Sequence, residues 1–260
     1  MEIIRYAELK AHPWRNGGGV TRELASHPAA TVPQASPAAA PAQDGTAKDG
    51  TAAAGWDWRV SIAEVSRAGD FSAYPGMDRV LTVVEGELLL LSVDGAEHPL
   101  EKYRPFRFSG DAAASGALPT GDIRDLNVIT RQGVFKGYTS IIELSKKRAH
   151  PVFEGQLGIL LQGQAAVTPG TAGAGPGAPS AGEPGTPSGE TAGEPSADPG
   201  TPSAEAGEPA AGAATGSPGA HAAEPTTLAR YDAVVGSDTD TPEILGRGFL
   251  AVVSIDRVAD

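Results

Sequence analysis

Polar side chains interrupt several apolar, β-rich stretches of the sequence at positions that predict shared strand faces. Residues two apart in a strand point to the same side of a sheet. The two pairs are Arg59 with Ser61 and Asp125 with Asn127, and Arg79 and Glu85 belong to the same set of polar strand residues. If these faces line the interior of a β structure, the two arginines would clamp a small carboxylate through bidentate hydrogen bonds. The alternative is that the same faces are turned to solvent, as one side of a half-buried strand often is.

A run of three glycines in "HPWRNGGGVTREL" is a second candidate for chemistry. A phosphate-binding P-loop requires a lysine directly after its last glycine, and a valine follows here. A dinucleotide fingerprint requires another spaced glycine and a helix, whereas "VTREL" alternates like a strand. The run therefore predicts a tight turn into an edge strand, with positive φ at one or more of Gly17–Gly19. This turn would bring Trp14, Asn16 and Thr21 together at a barrel entrance, and glycine also occurs where a ligand approaches the backbone closely.

The sequence lacks the common signatures of metal sites and catalytic nucleophiles. It has no cysteine and no G-x-S-x-G motif. No two of its five histidines have the H-x-H or H-x₃₋₅-H spacing that brings two imidazoles to one metal ion. We therefore expect no metal and no cofactor, although a metal site made only of oxygen ligands stays open.

Charge and hydropathy exclude several classes of partner. The chain of 260 residues carries 20 basic and 32 acidic residues, a formal net charge of −12. A chain this acidic gains little from binding phosphate backbones or anionic lipids, so we expect neither nucleic acid nor a membrane as partner. The first residues lack the apolar core of a signal peptide, and no apolar run is long enough to span a bilayer. A cytoplasmic protein is expected, and a homodimer is compatible with the sequence.

Short apolar stretches separated by turn residues predict an all-β fold. Examples are "WDWRVSIAEV", "DLNVITRQG", "GYTSIIEL" and "GFLAVVSIDRV", and "RVLTVVEGELLLLSVDGAEHPL" reads as two strands followed by a turn at Asp94-Gly95. The pair "GQLGILLQGQAAV" and "TTLARYDAVVG" repeats this strand–glycine–strand pattern. Two similar β units in tandem predict a double barrel.

Two segments rich in Ala, Gly and Pro divide this pattern, at about residues 25–55 and 164–225. Neither contains enough apolar surface to offset the entropy lost on ordering. We therefore predict a first barrel in residues 1–145 with the first insert, and a second barrel in residues 146–260 with the second.

Several motifs resemble those of the HutD/Ves family. The stretches concerned are "PWRNGGGVTREL", "WDWRVSIAEVSRAGDFSAYPGMDRVLTVVEGE", "FSGD" and "GDIRDLNVITRQG". They follow the family pattern W-x-N-G-G-G-x-T, W-R-x-S-x-A, G-x-F-S-x-x-P-G-x-D-R and D-x-N-V as far as about Gly133. From Phe135 onward only the general β pattern is similar, and both inserts depart from the family.

This resemblance implies a cupin-like double β-barrel (a bicupin with an RmlC-like jelly roll) on one chain. Metal-dependent cupins carry H-x-H and a glutamate where this chain has "YPGMDRVLTVVEGE", so a metal-dependent dioxygenase is disfavoured. The family is associated with bacterial histidine utilisation and has no established catalytic activity. The resemblance implies ligand-binding roles for the family's patterned polar positions, which here are Asn16, Thr21, Arg59, Ser61, Arg79, Asp125 and Asn127.

Three functions remain open from the sequence. The first is a metal-free cupin that binds a small carboxylate of histidine breakdown, such as urocanate or N-formylglutamate, and modulates histidine utilisation. The second is a metal-free isomerase or hydrolase with Glu85 or Asp125 as general base and an arginine as electrostatic stabiliser. The third is an interaction module in which the long acidic insert recruits a partner.

Overall fold

Strands make up nearly all regular structure in residues 1–28, 55–170 and 224–259, the part of the chain that the computed structural model describes. The predicted all-β class is confirmed there. The single helical element of these residues is a 3-10 turn at Tyr6–Glu8. The strands of the first half are β1 (Glu2–Ile4), β2 (His12–Pro13), β3 (Gly19–Pro28), β4 (Trp56–Val65), β5 (Gly69–Asp70), β6 (Met77–Glu85), β7 (Leu88–Val93), β8 (Ala96–Glu101), β9 (Phe106–Ser109) and β10 (Ala114–Ala117). They are followed by β11 (Ile123–Arg131), β12 (Phe135–Leu144), β13 (His150–Pro151), β14 (Gln156–Pro169), β15 (Thr226–Leu228), β16 (Ala233–Val235) and β17 (Pro242–Arg257).

These strands form three sheets. A six-stranded sheet has the order β2-β3-β4-β11-β6-β9, and a four-stranded sheet has the order β5-β10-β7-β8. A seven-stranded sheet has the order β1-β16-β14-β17-β12, with β13 paired to β17 and β15 paired to β14. The predicted turn at Asp94-Gly95 joins β7 to β8, and both residues have positive φ, as a two-residue hairpin turn requires.

The six-stranded sheet is covered on both faces. On one face, Val60, Ile62 and Leu126 pack with Ile159 and Val253 of the seven-stranded sheet. The opposite face packs against the four-stranded sheet through a second apolar cluster: Ala63, Val65, Leu81, Val83, Leu89, Leu91, Leu100, Phe108, Ala114 and Ile123. The sheets are open and stacked as sandwiches, consistent with a jelly roll, and polar residues on the central strands face a buried layer instead of solvent.

The ends of both predicted inserts belong to strands. β3 continues to Pro28 and β14 to Pro169, so the regular structure extends a few residues beyond the boundaries predicted at 25 and 164. Residues 29–54 and 171–223, which hold the rest of both inserts, lie outside the described residues. The seven-stranded sheet combines β1 and β12 with strands that follow residue 145. The division into two domains at that residue stays a prediction.

Candidate functional site

Three adjacent strands bring five of the predicted site residues onto one face of the six-stranded sheet. β11 lies between β4 and β6, so residues in register across the three strands point into the same layer. This layer is the one shared with the four-stranded sheet. The successive rows across β4, β11 and β6 are Arg59–Ile129–Arg79, Ser61–Asn127–Leu81 and Ala63–Asp125–Val83.

A chain of hydrogen bonds joins three of these side chains. Arg79 Nη2 donates to Asn127 Oδ1 at 3.0 Å, and Asn127 Nδ2 donates to Asp125 Oδ1 at 2.5 Å. Asp125 is completely buried, and Arg79 is 3% exposed. We call Arg79, Asn127 and Asp125 the polar trio. Asn127 links a cation to a carboxyl group that has no other hydrogen-bond donor among the described residues.

Aromatic rings surround both arginines. The Arg79 guanidinium carbon lies 4.9 Å from the ring centre of Phe108, 5.4 Å from Tyr74 and 5.6 Å from Phe71. The Arg59 guanidinium carbon lies 4.8 Å from Trp56 and 5.4 Å from Tyr74, and Arg59 Nη2 donates to the Tyr74 hydroxyl at 2.9 Å. We call these four rings the aromatic cage. Contact with aromatic faces stabilises a guanidinium group that has lost water.

Sequence reasoning missed most of this cage. Phe71 and Tyr74 lie in "FSAYPG", whose residues alone indicate a turn, and Phe108 comes from the distant strand β9. A strict period of two in "WDWRVSIAEV" places Trp56 on the opposite face, together with Trp58. The pairing of β3 with β4 shifts by one residue between His27 and Pro28, and this irregularity turns Trp56 toward Arg59.

Three buried polar atoms of this site have no hydrogen-bond partner within the described part of the chain: Arg59 Nε, Arg79 Nε and Asp125 Oδ2. Leaving such atoms unpaired is unfavourable, and it is common where a ligand completes the site.

Burial raises the pKa of Asp125 to about 7, against the opposing effects of the Arg79 charge and the Asn127 hydrogen bond. Burial also lowers the pKa of Arg79, and the nearby charge of Arg59 acts in the same direction. The guanidinium group nevertheless keeps its proton.

The glycine turn is confirmed, but its polar residues make local bonds. Gly17 has φ of 66°, and β3 begins at Gly19 as predicted. Trp14 Nε1 donates to Thr21 Oγ1 at 2.8 Å, and the exposed Asn16 accepts a bond from the Gly18 amide at 2.9 Å. Thr21 is in register with Ala63 on β4. It therefore shares the row of Asp125, two strands away.

Glu85 does not join the arginines of the polar face. The pairing of β11 with β6 shifts between Arg124 and Asp125, so Glu85 pairs with Arg124 and lies toward the seven-stranded sheet. Glu85 Oε2 accepts from Arg124 Nη1 at 2.7 Å and from the Tyr231 hydroxyl at 2.8 Å. Burial raises the pKa of Glu85, but the Tyr231 bond and the charges of Arg124 and Arg230 outweigh it and hold that pKa low. A low pKa is unfavourable for a general base near neutral pH.

These contacts define a candidate ligand-binding site on the buried face of the six-stranded sheet that meets the four-stranded sheet. Two cationic groups, an amide and a carboxyl group lie on one buried face beside aromatic rings, an arrangement suited to holding a small planar anion. Among the described residues, no three His, Asp or Glu side chains lie close enough together to hold a metal ion. The same residues contain no helix long and apolar enough to cross a bilayer.

The sequence matches the family model described as HutD over residues 6–178. Protein Ves from Citrobacter koseri is 34% identical over 134 residues, which is 51% of this chain and 59% of that protein. Protein Ves from Escherichia fergusonii is 35% identical over 133 residues, or 50% of this chain and 58% of that protein. The match therefore spans less than two thirds of the length of these curated relatives.

Solved structures share the fold at low sequence identity. The conserved protein of unknown function PA5104 from Pseudomonas aeruginosa PAO1 superposes with a TM-score of 0.61 at 21% identity, covering 99% of both chains. HutD from Pseudomonas fluorescens SBW25 superposes with a TM-score of 0.57 at 20% identity, again covering 99% of both chains. The all-β fold predicted from the sequence is thus shared with these solved structures, although its sheets, in the described part of the chain, are open and do not close into the two predicted barrels.

Proposed function

This chain belongs to the HutD family, and we propose that it binds a small carboxylate between Arg59 and Arg79, inside the layer shared by the six- and four-stranded sheets. The observation that carries the proposal is the buried Arg79 guanidinium, whose Nε has no partner among the described residues. A cation held in an apolar layer with a free donor is unfavourable until an anion accepts its hydrogen bond.

The surrounding groups suit such a ligand. The planar guanidinium group presents parallel N–H donors that match the two oxygens of a carboxylate. Tyr74 contacts both arginines and holds Arg59 at the side of Arg79. Ser61 is 2% exposed and stands next to Asn127, so its hydroxyl would orient a second polar group of the ligand.

The biological role that we propose follows from the family. A carboxylate produced in histidine breakdown, such as urocanate or N-formylglutamate, would occupy the site, and the protein would modulate histidine utilisation in the cytoplasm. Pairing with a second copy stays a prediction.

Isothermal titration with acetate, urocanate and N-formylglutamate at millimolar concentrations tests this proposal. We expect at least one of them to bind, and Arg79→Gln to weaken that binding by about tenfold or more because a charged hydrogen-bond partner is lost. Arg59→Gln, at a less buried position, is the second variant in case Arg79→Gln misfolds. Arg67→Gln changes an exposed arginine after β4 and serves as the matched control, with unchanged affinity. The absence of heat with all three ligands would refute the proposal.

One observation favours a second candidate, a metal-free isomerase or hydrolase. Burial raises the pKa of Asp125 to about 7, which suits a general base near neutral pH. In this candidate Asp125 accepts a proton from the substrate and Arg79 stabilises the developing negative charge. It predicts turnover that survives a chelator and is abolished in Asp125→Asn. A ligand that binds and is recovered unchanged after prolonged incubation with the protein would exclude turnover of that ligand.

A further inference from the structure

The charge balance of the site changes when an anion binds. Without ligand, the face of the six-stranded sheet that meets the four-stranded sheet, here called the inward face, holds the guanidinium groups of Arg59 and Arg79 beside the carboxyl group of Asp125, and Asp57 is paired with Arg131 at its end. Asp125 is fully buried, and its Oδ1 atom accepts the Asn127 amide while Oδ2 has no partner in the described residues. A second carboxylate on Arg79 would share the one amide bridge and the two cations with Asp125. Like charges in one buried site disfavour simultaneous ionisation.

The unpartnered Oδ2 atom of Asp125 favours relieving this repulsion by protonation of Asp125. As part of an ionised carboxylate, Oδ2 needs a donor, and no described residue supplies one. As part of a protonated carboxyl group, it becomes an O–H donor and can bond to an oxygen of a ligand held by Arg79. Asn127 then keeps its bonds to Arg79 and to Asp125 Oδ1 unchanged.

Resting on the carboxylate binding proposed above, we infer that Asp125 takes up a proton when the site binds a carboxylate anion. The site thus binds the anion and the proton together, and its affinity falls as the pH rises.

Apart from His98, the other titratable groups around the inward face do not explain an affinity that falls as the pH rises. The guanidinium group of Arg79 keeps its charge throughout the neutral range, and Arg131 is paired with Asp57 at 2.5 Å at the end of the same face. Tyr74 faces the arginines from the segment before β6. The four-stranded sheet contributes Asp70 on β5, which is exposed, and the half-buried His98 on β8, beside the ring of Phe106. β7 and β10 carry no titratable side chain, and Arg107 of β9 bonds to the carbonyl of Gly137 on β12. His98 is therefore the group that the experiment must separate from Asp125.

The test measures affinity and proton uptake in the full-length protein. Acetate and N-formylglutamate are the probes because their carboxylates stay ionised between pH 6 and 8. Titrations in buffers of different ionisation enthalpy report how many protons each binding event takes up. With the Asp125 pKa at about 7, we expect uptake of about 0.9 proton per ligand at pH 8 and about 0.1 at pH 6. The dissociation constant should be about tenfold larger at pH 8 than at pH 6.

Two variants assign the proton to its group. Asp125→Asn keeps an acceptor for Asn127, and it should remove both the proton uptake and the pH dependence. His98→Gln should leave both as in the wild type. Because the wild-type protein itself is measured, the test does not depend on the folding of either variant.

Each other outcome has one meaning. Binding of a probe without proton uptake overturns the inference and leaves the carboxylate-binding function in place. Affinity that rises with pH also overturns it, because Asp125 would then act as an ionised acceptor. Proton uptake that disappears in His98→Gln assigns the proton to the histidine and rejects Asp125. If neither probe binds at millimolar concentration, the inference fails together with the proposed binding of these anions.

Discussion

Replacing Asp125 with asparagine should change how the free energy of unfolding depends on pH. In the folded chain burial raises the pKa of Asp125 to about 7 from its ordinary value of 3.8. Between these two values the folded state binds more protons at this position than the unfolded state does, so the free energy of unfolding falls as the pH rises. The stabilisation is fully present below the unfolded pKa and is lost as the pH passes through the folded pKa.

The magnitude follows from the size of the shift. Each pH unit in this window lowers the free energy of unfolding by about 1.4 kcal/mol, and the change from pH 4.5 to 7.5 sums to about 3 kcal/mol. Asp125→Asn has no proton to lose, so its stability relative to wild type should rise by that amount over the same range. At pH 4.5 the two proteins should be similar, because the neutral carboxyl group and the amide have similar shapes.

Urea unfolding, followed by tryptophan fluorescence at pH 4.5, 6 and 7.5, measures this difference. Other titrating groups act equally on both proteins and cancel in the comparison. Asp240→Asn, which changes an exposed carboxylate, is the matched control and should stay close to wild type throughout. A difference between Asp125→Asn and wild type that does not change with pH would show that Asp125 is ionised at low pH in the folded protein. Burial would then not raise the pKa of this carboxyl group in the folded protein.

Three further tests of the packing that supports the site use five substitutions, each followed through its urea midpoint. Gly19→Ala should destabilise the fold by more than about 3 kcal/mol, because the added Cβ would lie 2.2 Å from a backbone carbonyl of β4. Gly17→Ala faces open space at φ of 66° and should cost about 1 kcal/mol, so equal effects at the two glycines would contradict the structure. Tyr231→Phe removes a hydroxyl bonded to a glutamate and should cost about 1 kcal/mol, whereas Tyr138→Phe at an exposed position should cost almost nothing. Leu126→Ala, in the completely buried layer between the six- and seven-stranded sheets, should cost about 2–5 kcal/mol, and a smaller loss would indicate that this layer is loosely packed.

The strands and most of the polar face could be predicted because they depend on local patterns. Alternation with a period of two placed Arg59 with Ser61 and Asp125 with Asn127, and both pairs share faces in the structure. The turn at Asp94-Gly95 was predictable because positive φ favours these residue types. Whether the shared face is buried was left open. Burial of this face depends on the packing of the four-stranded sheet against it. The residue pattern of a single strand carries no information about that packing.

Two side chains depart from a period of two because the strand register shifts beside them. Extended to the ends of β4 and β6, that period would place Trp56 on the face opposite Arg59 and Glu85 on the face of Arg79. In the structure the pairing of β4 shifts just after Trp56 and that of β6 shifts just before Glu85, and each side chain turns to the opposite face. Such a shift depends on the partner strand and on the space available on each side of the sheet. The residue pattern of one strand therefore cannot predict it.

The polar trio is better explained by binding than by folding, and a triple substitution tests this distinction. Burying Arg79 and Asp125 removes two charged groups from water. The amide bridge through Asn127 and the bond from Arg79 to the Ser72 carbonyl compensate this only in part, because two atoms stay unpaired. Apolar side chains of similar volume would avoid that penalty, as they do when buried ion pairs in other proteins are replaced together. We therefore expect Arg79→Met combined with Asp125→Val and Asn127→Val to keep the fold, with a free energy of unfolding equal to wild type or higher by about 1–4 kcal/mol. Carboxylate binding should be lost in the same protein. Arg79→Met alone should be destabilising instead, because it leaves the carboxyl group without its cation. A triple variant that fails to fold would mean that the trio holds the two sheets together, and the argument for a ligand from its unpaired atoms would lose its main support.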